Sequence, residues 1–276
     1  MSWTIWIQSG DWARPEQAVI PMLPANVREL VQLALDPEVT ARHMAAAVGK
    51  DPVLAAQVIR MANTAGSAPG SDITNIDDAV LRMGTQAVRN VVVAGCLSAQ
   101  LADPQIYGRR GRAIVDHCIG TAALASELAK RHGTSGELFL CGLLHDIGKL
   151  LVLKLAHEYG LTHERPSDEE IEEVIAARHA QLGGWLAGRW EMPVFLSDPI
   201  IWHHDVEWAE DRTQVATIYA ANRLAHRYGF GCDADSADVL TDPIMREMGI
   251  DETRLAALDA TAPTTFETIR NAIAGH

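Results

Sequence analysis

Along most of the chain, apolar residues recur three and four positions apart, the rhythm of helices with one face turned inward. Leu54, Ala55, Val58, Ile59 and Ala62 keep it after Asp51-Pro52, a pair suited to cap a helix and open its first turn. Thr74 with Asp77 opens a short helix that Gly84 closes, and Thr85 starts an apolar one through Val88, Val91, Val92, Ala94 and Cys96. One long helix is predicted from Arg112 to Gly133, with Ile114, His117, Thr121, Leu124 and Leu128 along one stripe. Glu137 to Asp146 continues as helix, with Gly148 marking a break or cap. Ser167-Asp168-Glu169-Glu170 is a capping-box signature for a helix reaching towards Ala177, and Trp190-Glu191-Met192-Pro193 ends the next. Pro199 to His204 and Val215 to Tyr228 follow, and the tail from Asp242-Pro243 carries two or three short helices to His276. The N-terminus breaks the pattern. There Trp3, Ile5 and Ile7 alternate with polar neighbours, which predicts a short strand docked on the helical body or on a partner. No stretch reads as βαβ and no glycine-rich phosphate loop is present, so the class is all-α.

With 276 residues the chain can hold one large or two small domains. No apolar run reaches the roughly 18–20 residues of a membrane span, and Met1 to Ile7 lacks the basic and apolar regions of a signal peptide. Cys96, Cys118, Cys141 and Cys232 are isolated, which points to reduced thiols and a cytoplasmic location. The net charge of −13 argues against nucleic acid as a partner. The basic cluster Arg109-Arg110-Gly111-Arg112 reads as a solvated helix start. An anionic small substrate would need a metal ion or local cations to offset this field. Cys232-Asp233-Ala234-Asp235-Ser236 is acidic, but lacks the glycine and distal glutamate of a calcium loop and reads as a surface loop.

Candidate chemistry centres on Leu143-Leu144-His145-Asp146-Ile147-Gly148-Lys149, where two ionisable residues interrupt an apolar run. Such a pair is costly to bury unless a metal or a hydrogen bond satisfies it. His117, His179, His203 and His204 also lie near apolar helical stripes, whereas the other six histidines sit in polar or terminal settings. A single histidine on such a stripe is more often a hydrogen-bonded core residue. Five spread over four helices fit the way helical bundles gather metal ligands from several helices. Lys149 lies one turn beyond His145, where its ammonium can meet a phosphate oxygen or snorkel to solvent. Cys118 and Cys141 sit among apolar residues with no cation placed to activate them, against a thiol nucleophile.

The spacing of His117, His145-Asp146 and His203-His204 resembles the HD superfamily of metal-dependent phosphohydrolases, and Leu-Leu-His-Asp-Ile-Gly-Lys its HD-GYP branch. There the equivalents of His117, His145, Asp146, His179, His203 and His204 bind metal, and the lysine contacts substrate phosphate. The chain departs in two places. Val206-Glu207-Trp208-Ala209 stands where a Gly-Tyr-Pro signature belongs, and Asn222 stands where the family's distal aspartate falls. An amide there removes a negative charge and adds an NH2 donor, which lowers divalent affinity and impairs a hydrolytic site.

A more specific resemblance, over roughly residues 20 to 230, is to the HDOD family, HD-related output domains of bacterial signal transduction. Leu23-Pro24, Lys50-Asp51-Pro52, Arg60-Met61-Ala62-Asn63-Thr64-Ala65, Arg82-Met83-Gly84 and Arg89-Asn90 carry it in the first part. Gly142 to Gly148, His179 to Gly184, Trp190 to Pro193 and His203-His204 carry it in the second. It implies a two-lobed all-α bundle with a helical lobe 22–104 and an HD-like lobe 105–231; the N-terminal segment 1–21 and the helical tail 232–276 lie outside it. It implies a regulatory module acting through a signalling protein partner, with a relict HD pocket able to hold a metal. The alternative it leaves open is an active phosphohydrolase or phosphodiesterase taking a phosphorylated small molecule, with Lys149 at the phosphate. In either case an imidazole-rich site with one carboxylate suits iron, nickel or zinc better than magnesium.

Overall fold

The structure is a computed structural model that describes residues 2–13, 33, 36, 38–64, 73–100, 105–130, 135–235 and 238–274. The described residues form helices and no strand. Leu23-Pro24 and Ala65, part of the pattern above, lie outside them.

The N-terminus does not form the strand expected from its alternation. Trp3–Ser9 is an α-helix, α1, closed by Gly10 in the left-handed conformation. Trp3 and Ile7 share its inner face four residues apart, while Ile5 is 56% exposed. In a segment this short, positions 3, 5 and 7 satisfy a strand period and 3 and 7 a helical one, and packing of Trp3 and Trp6 on Tyr159 selects the helix.

Ala41–Val48 (α2), Pro52–Thr64 (α3) and Ile76–Gln100 (α4) pack on one another. Asp51 caps α3 by accepting from the Leu54 amide at 3.2 Å. Asn75, not Thr74, caps α4, accepting from the Asp78 amide at 2.9 Å. Gly84, at φ 78, breaks α4 where the sequence pattern ends one helix and begins another.

Gly108–Ala129 (α5) is the long helix expected, and it packs along Ser135–Leu144 (α6). The break near His145 comes earlier than the sequence suggests. Helix α6 stops at Leu144, His145 and Asp146 form a turn, and Ile147–Gly160 (α7) already contains Gly148. Asp168–Arg189 (α8) opens on the predicted capping box, with Ser167 and Glu170 bonding each other's backbone amides. It runs on through Ala177 as one helix rather than two. Its inner face supplies Ile171, Val174, Ile175, His179, Leu182 and Leu186 without interruption.

Val194–Trp202 (α9) and Arg212–Arg227 (α10) complete the packing around α5 to α8. The tail holds one short helix, Pro243–Glu247 (α11), and one long one, Glu252–Ala274 (α12), instead of several short pieces. Helix α12 buries Leu255, Leu258, Ala262 and Phe266 and packs against α3, α4 and α5. Each large apolar side chain so covered contributes roughly 1.5–3 kcal/mol. Among the described residues no helix is long and apolar enough to cross a membrane.

Candidate metal centre

The turn at His145-Asp146 sits deep in the protein because two helices meet almost backbone to backbone beside it. A Cβ on Gly148 would lie 1.9 Å from the His179 carbonyl oxygen and 2.7 Å from the Gly183 nitrogen. Only glycine lets the start of α7 approach the middle of α8 so closely. That contact brings His145 and Asp146, from one helix boundary, against His179, from the middle of another.

Four buried histidines then converge through their Nε2 atoms. His145 Nδ1 donates to the Gly142 carbonyl at 2.8 Å, His179 Nδ1 to Ile175 at 2.6 Å and His203 Nδ1 to Pro199 at 3.0 Å. His117 Nδ1 donates to the Phe230 carbonyl at 3.3 Å. A carbonyl only accepts, so each Nδ1 carries the proton and each Nε2 presents a lone pair, the tautomer that metal-ligating histidines adopt. Those lone pairs surround Asp146. Oδ2 lies 3.2 Å from His145 Nε2 and 3.6 Å from His117 Nε2, and Oδ1 lies 3.3 Å from His179 Nε2 and 3.5 Å from His203 Nε2. His179 Nε2 also faces His203 Nε2 at 3.2 Å and His204 Nε2 at 3.1 Å, His204 standing at the solvent edge.

Acceptors facing acceptors at these distances repel unless a cation lies among them. A transition metal with N and O donors at about 2.0–2.2 Å holds neighbouring donors about 2.8–3.6 Å apart, for bond angles between 90° and tetrahedral. The spacings match that range. His145 Nε2 and Asp146 Oδ1 are moreover buried without a hydrogen bond, while Asp146 Oδ2 has the Lys149 ammonium 2.6 Å away. The residues therefore fit a metal, as two adjoining groups: His117, His145 and Asp146, and His179, His203 and His204.

The electrostatics agree with neutral imidazoles at His117, His179, His203 and His204 beside an ionised carboxylate. Burial lowers His117 to about 3 and His179 to about 4, only partly offset by Asp146. Burial lowers His203 too, against the opposing pull of Asp146. Burial of its inner face, with His203 and His179 beside it, also lowers His204. For Asp146, burial pushes the carboxyl up, but the pull of His145 in its charged form and of the Lys149 ammonium outweighs it and holds the carboxyl well below its ordinary value. Lys149 turns inward rather than snorkelling, with Nζ 2.6 Å from Asp146 Oδ2. Burial lowers its pKa, and the carboxylate more than reverses that.

Asn222, on α10, is buried with Oδ1 2.9 Å from His117 Nε2, so an amide oxygen occupies a donor position at this edge of the cluster. His226, expected at the surface, instead turns towards the cluster. His226 is half-buried, its ring centroid 4.5 Å from that of His117 and its Nδ1 3.3 Å from Cys232 Sγ. The signal for it was its spacing: four residues after Asn222, it shares that residue's helix face. Cys118 and Cys141 are buried, and burial pushes both thiols up, as expected for inert core cysteines.

The fold and this pocket define a helical protein of the HD type. A model of the HDOD domain matches residues 20–206, and the chain belongs to the HDOD family. It is 25% identical over 221 residues to an uncharacterized protein of Treponema pallidum (strain Nichols), a match covering 74% of this chain and 41% of that one. The chain thus spans less than half the length of this curated relative. Among solved structures, a Shewanella amazonensis SB2B protein provisionally described as a metal-dependent phosphohydrolase superposes with a TM-score of 0.73 at 16% identity, covering 98% of both chains. A Marinobacter aquaeolei VT8 protein provisionally described as a signal transduction protein gives a TM-score of 0.68 at 21% identity, covering 94% of this chain and 60% of that one. At these identities the likeness is one of fold.

Proposed function

We propose that this chain is a signal-transduction module of the HDOD type, acting through contacts with a signalling partner. Its pocket holds a divalent transition metal without hydrolysing phosphoesters. The observation that carries the reading is the pairing of His117 Nε2 with the amide of Asn222 at 2.9 Å. The cluster keeps its imidazoles but has one carboxylate, Asp146, and that carboxylate is already paired with Lys149. An amide cannot take a proton from an attacking water, and Asp146, held strongly ionised by its neighbours, is a poor base. His117, His145, Asp146, His179, His203 and His204 would hold the metal. Imidazole-rich donors favour iron, nickel or zinc over magnesium, and such an ion supplies Lewis acidity when bound.

Hydrolysis is the second reading, favoured by the completeness of the histidine set and by the description of the Shewanella amazonensis protein. The two separate in one experiment. Untagged protein is supplied with manganese, iron or zinc and assayed on chromogenic phosphodiesters and monoesters beside His145→Ala. The proposal expects turnover no greater than that of the variant. Metal-stimulated turnover that His145→Ala abolishes would establish hydrolysis instead.

A further inference from the structure

We propose that His226 and Cys232, together with His117, form a second metal-binding subsite that takes a thiophilic divalent ion of the zinc class. This rests on the reading of a metal-holding pocket and competes with it for His117, whose one lone pair, on Nε2, ligates a single ion, that pocket then keeping His145, Asp146, His179, His203 and His204. The three residues come from α5, from the last turn of α10 and from the loop after it, and their donor atoms all lie within 4.8 Å of one another. Cys232 Sγ and His226 Nδ1 are 3.3 Å apart. A tetrahedral ion bound at about 2.3 Å to sulfur and 2.0–2.1 Å to nitrogen separates those donors by about 3.5 Å.

The loop that presents Cys232 is built tightly. The Phe230 amide donates to the Ala225 carbonyl at 3.0 Å, and the Gly229 amide to that of His226 at 3.1 Å. Phe230 is buried with its ring stacked 4.2 Å from that of Phe266, so α12 pins the loop from outside. Its carbonyl fixes the His117 ring through Nδ1. Gly231, at φ +68, then runs against α5 so closely that a Cβ would lie 2.0 Å from the Ala113 carbonyl oxygen. The next residue is Cys232, half-exposed and turned to His226.

The donor types set the ligand. One thiolate with two neutral imidazoles is a soft, singly charged set that selects zinc-like ions over magnesium or calcium. The thiol proton leaves as the metal binds. Partial exposure of Cys232 and His226 gives the ion a route in, which the fully buried Cys118 lacks.

The test uses the full untagged chain, stripped with chelator and titrated with Co²⁺. The expected result is a sulfur-to-cobalt charge-transfer band in the near ultraviolet that Zn²⁺ abolishes by displacement. Cys232→Ala and His226→Ala lose the band while keeping the wild-type circular dichroism, and His145→Ala retains it. Cobalt bound without the band, or a band that survives Cys232→Ala, overturns the subsite. Bound ions lost in His145→Ala but not in Cys232→Ala would leave the main pocket standing without it. A band with no His145-dependent ion would leave the subsite standing without the main pocket.

Discussion

Gly148→Ala tests the close approach on which the whole site depends. The added methyl would stand 1.9 Å from the His179 carbonyl oxygen, against about 3.3 Å for an ordinary close C···O contact. The shortfall, 3.3 minus 1.9, is about 1.4 Å, and it is met by backbone rather than by a flexible side chain. Helices α7 and α8 must separate or slide. Overpacking of a closed core costs about 1–3 kcal/mol, and a backbone clash of this size belongs at or above the upper end. For a chain of this length each kcal/mol lowers the melting temperature by about 2–4 °C, so a fall of about 6–12 °C is expected. Gly188→Ala is the matched control in the same packed pair of helices. Nothing lies within 4 Å of its Cβ, and alanine there should stabilise by up to about 1 kcal/mol. Thermal unfolding followed by circular dichroism in chelator reads both. If Gly148→Ala melted within about 2 °C of wild type, the backbone contact between α7 and α8 would be wrong.

Three further outcomes follow from the same geometry. His117 and His179, lowered to about 3 and about 4, stay neutral in the fold while the unfolded chain protonates near 6.5. Metal-free stability is therefore fully present above about pH 6.5 and falls as pH drops towards 4, by up to about 1.4 kcal/mol per pH unit for each histidine. Asp146, held below its ordinary value, adds its own loss at still lower pH, and a flat melting temperature from pH 7 to 5 would contradict this. Lys149→Met removes the ammonium that competes for Asp146, so transition-metal affinity should rise, on the order of tenfold by calorimetry, and a fall would show that Lys149 assists binding. Ser167→Ala removes half of the capping box and should cost about 1 kcal/mol in denaturant unfolding without altering metal affinity.

Much of this was legible in the residues. The stripe through Ile114, His117, Thr121, Leu124 and Leu128 is buried along its length, and the His145-Asp146 doublet does meet His117, His179 and His203, with His204 beside His179. Local chemistry suffices there, because a helical period fixes which residues share a face. What escaped depends on contacts between distant segments. Trp3 to Ile7 reads equally as strand or helix until Tyr159 is beside it. Gly148 reads as a helix terminator, whereas it is a helical residue kept small by α8. His226 lies between buried Ala225 and polar Arg227, and its inward turn becomes visible only once Phe230 and Gly231 fold the following loop back onto α5.

The central claim is that the Nε2 atoms of His117, His145, His179 and His203 and the carboxylate of Asp146 surround a metal. Crystals of the untagged protein grown with a transition metal, measured on both sides of that metal's absorption edge, test it most directly. The account predicts an anomalous difference peak among those atoms, absent from crystals of His145→Ala with His179→Ala. A wild-type map with no peak there, from crystals soaked to saturation, would contradict it.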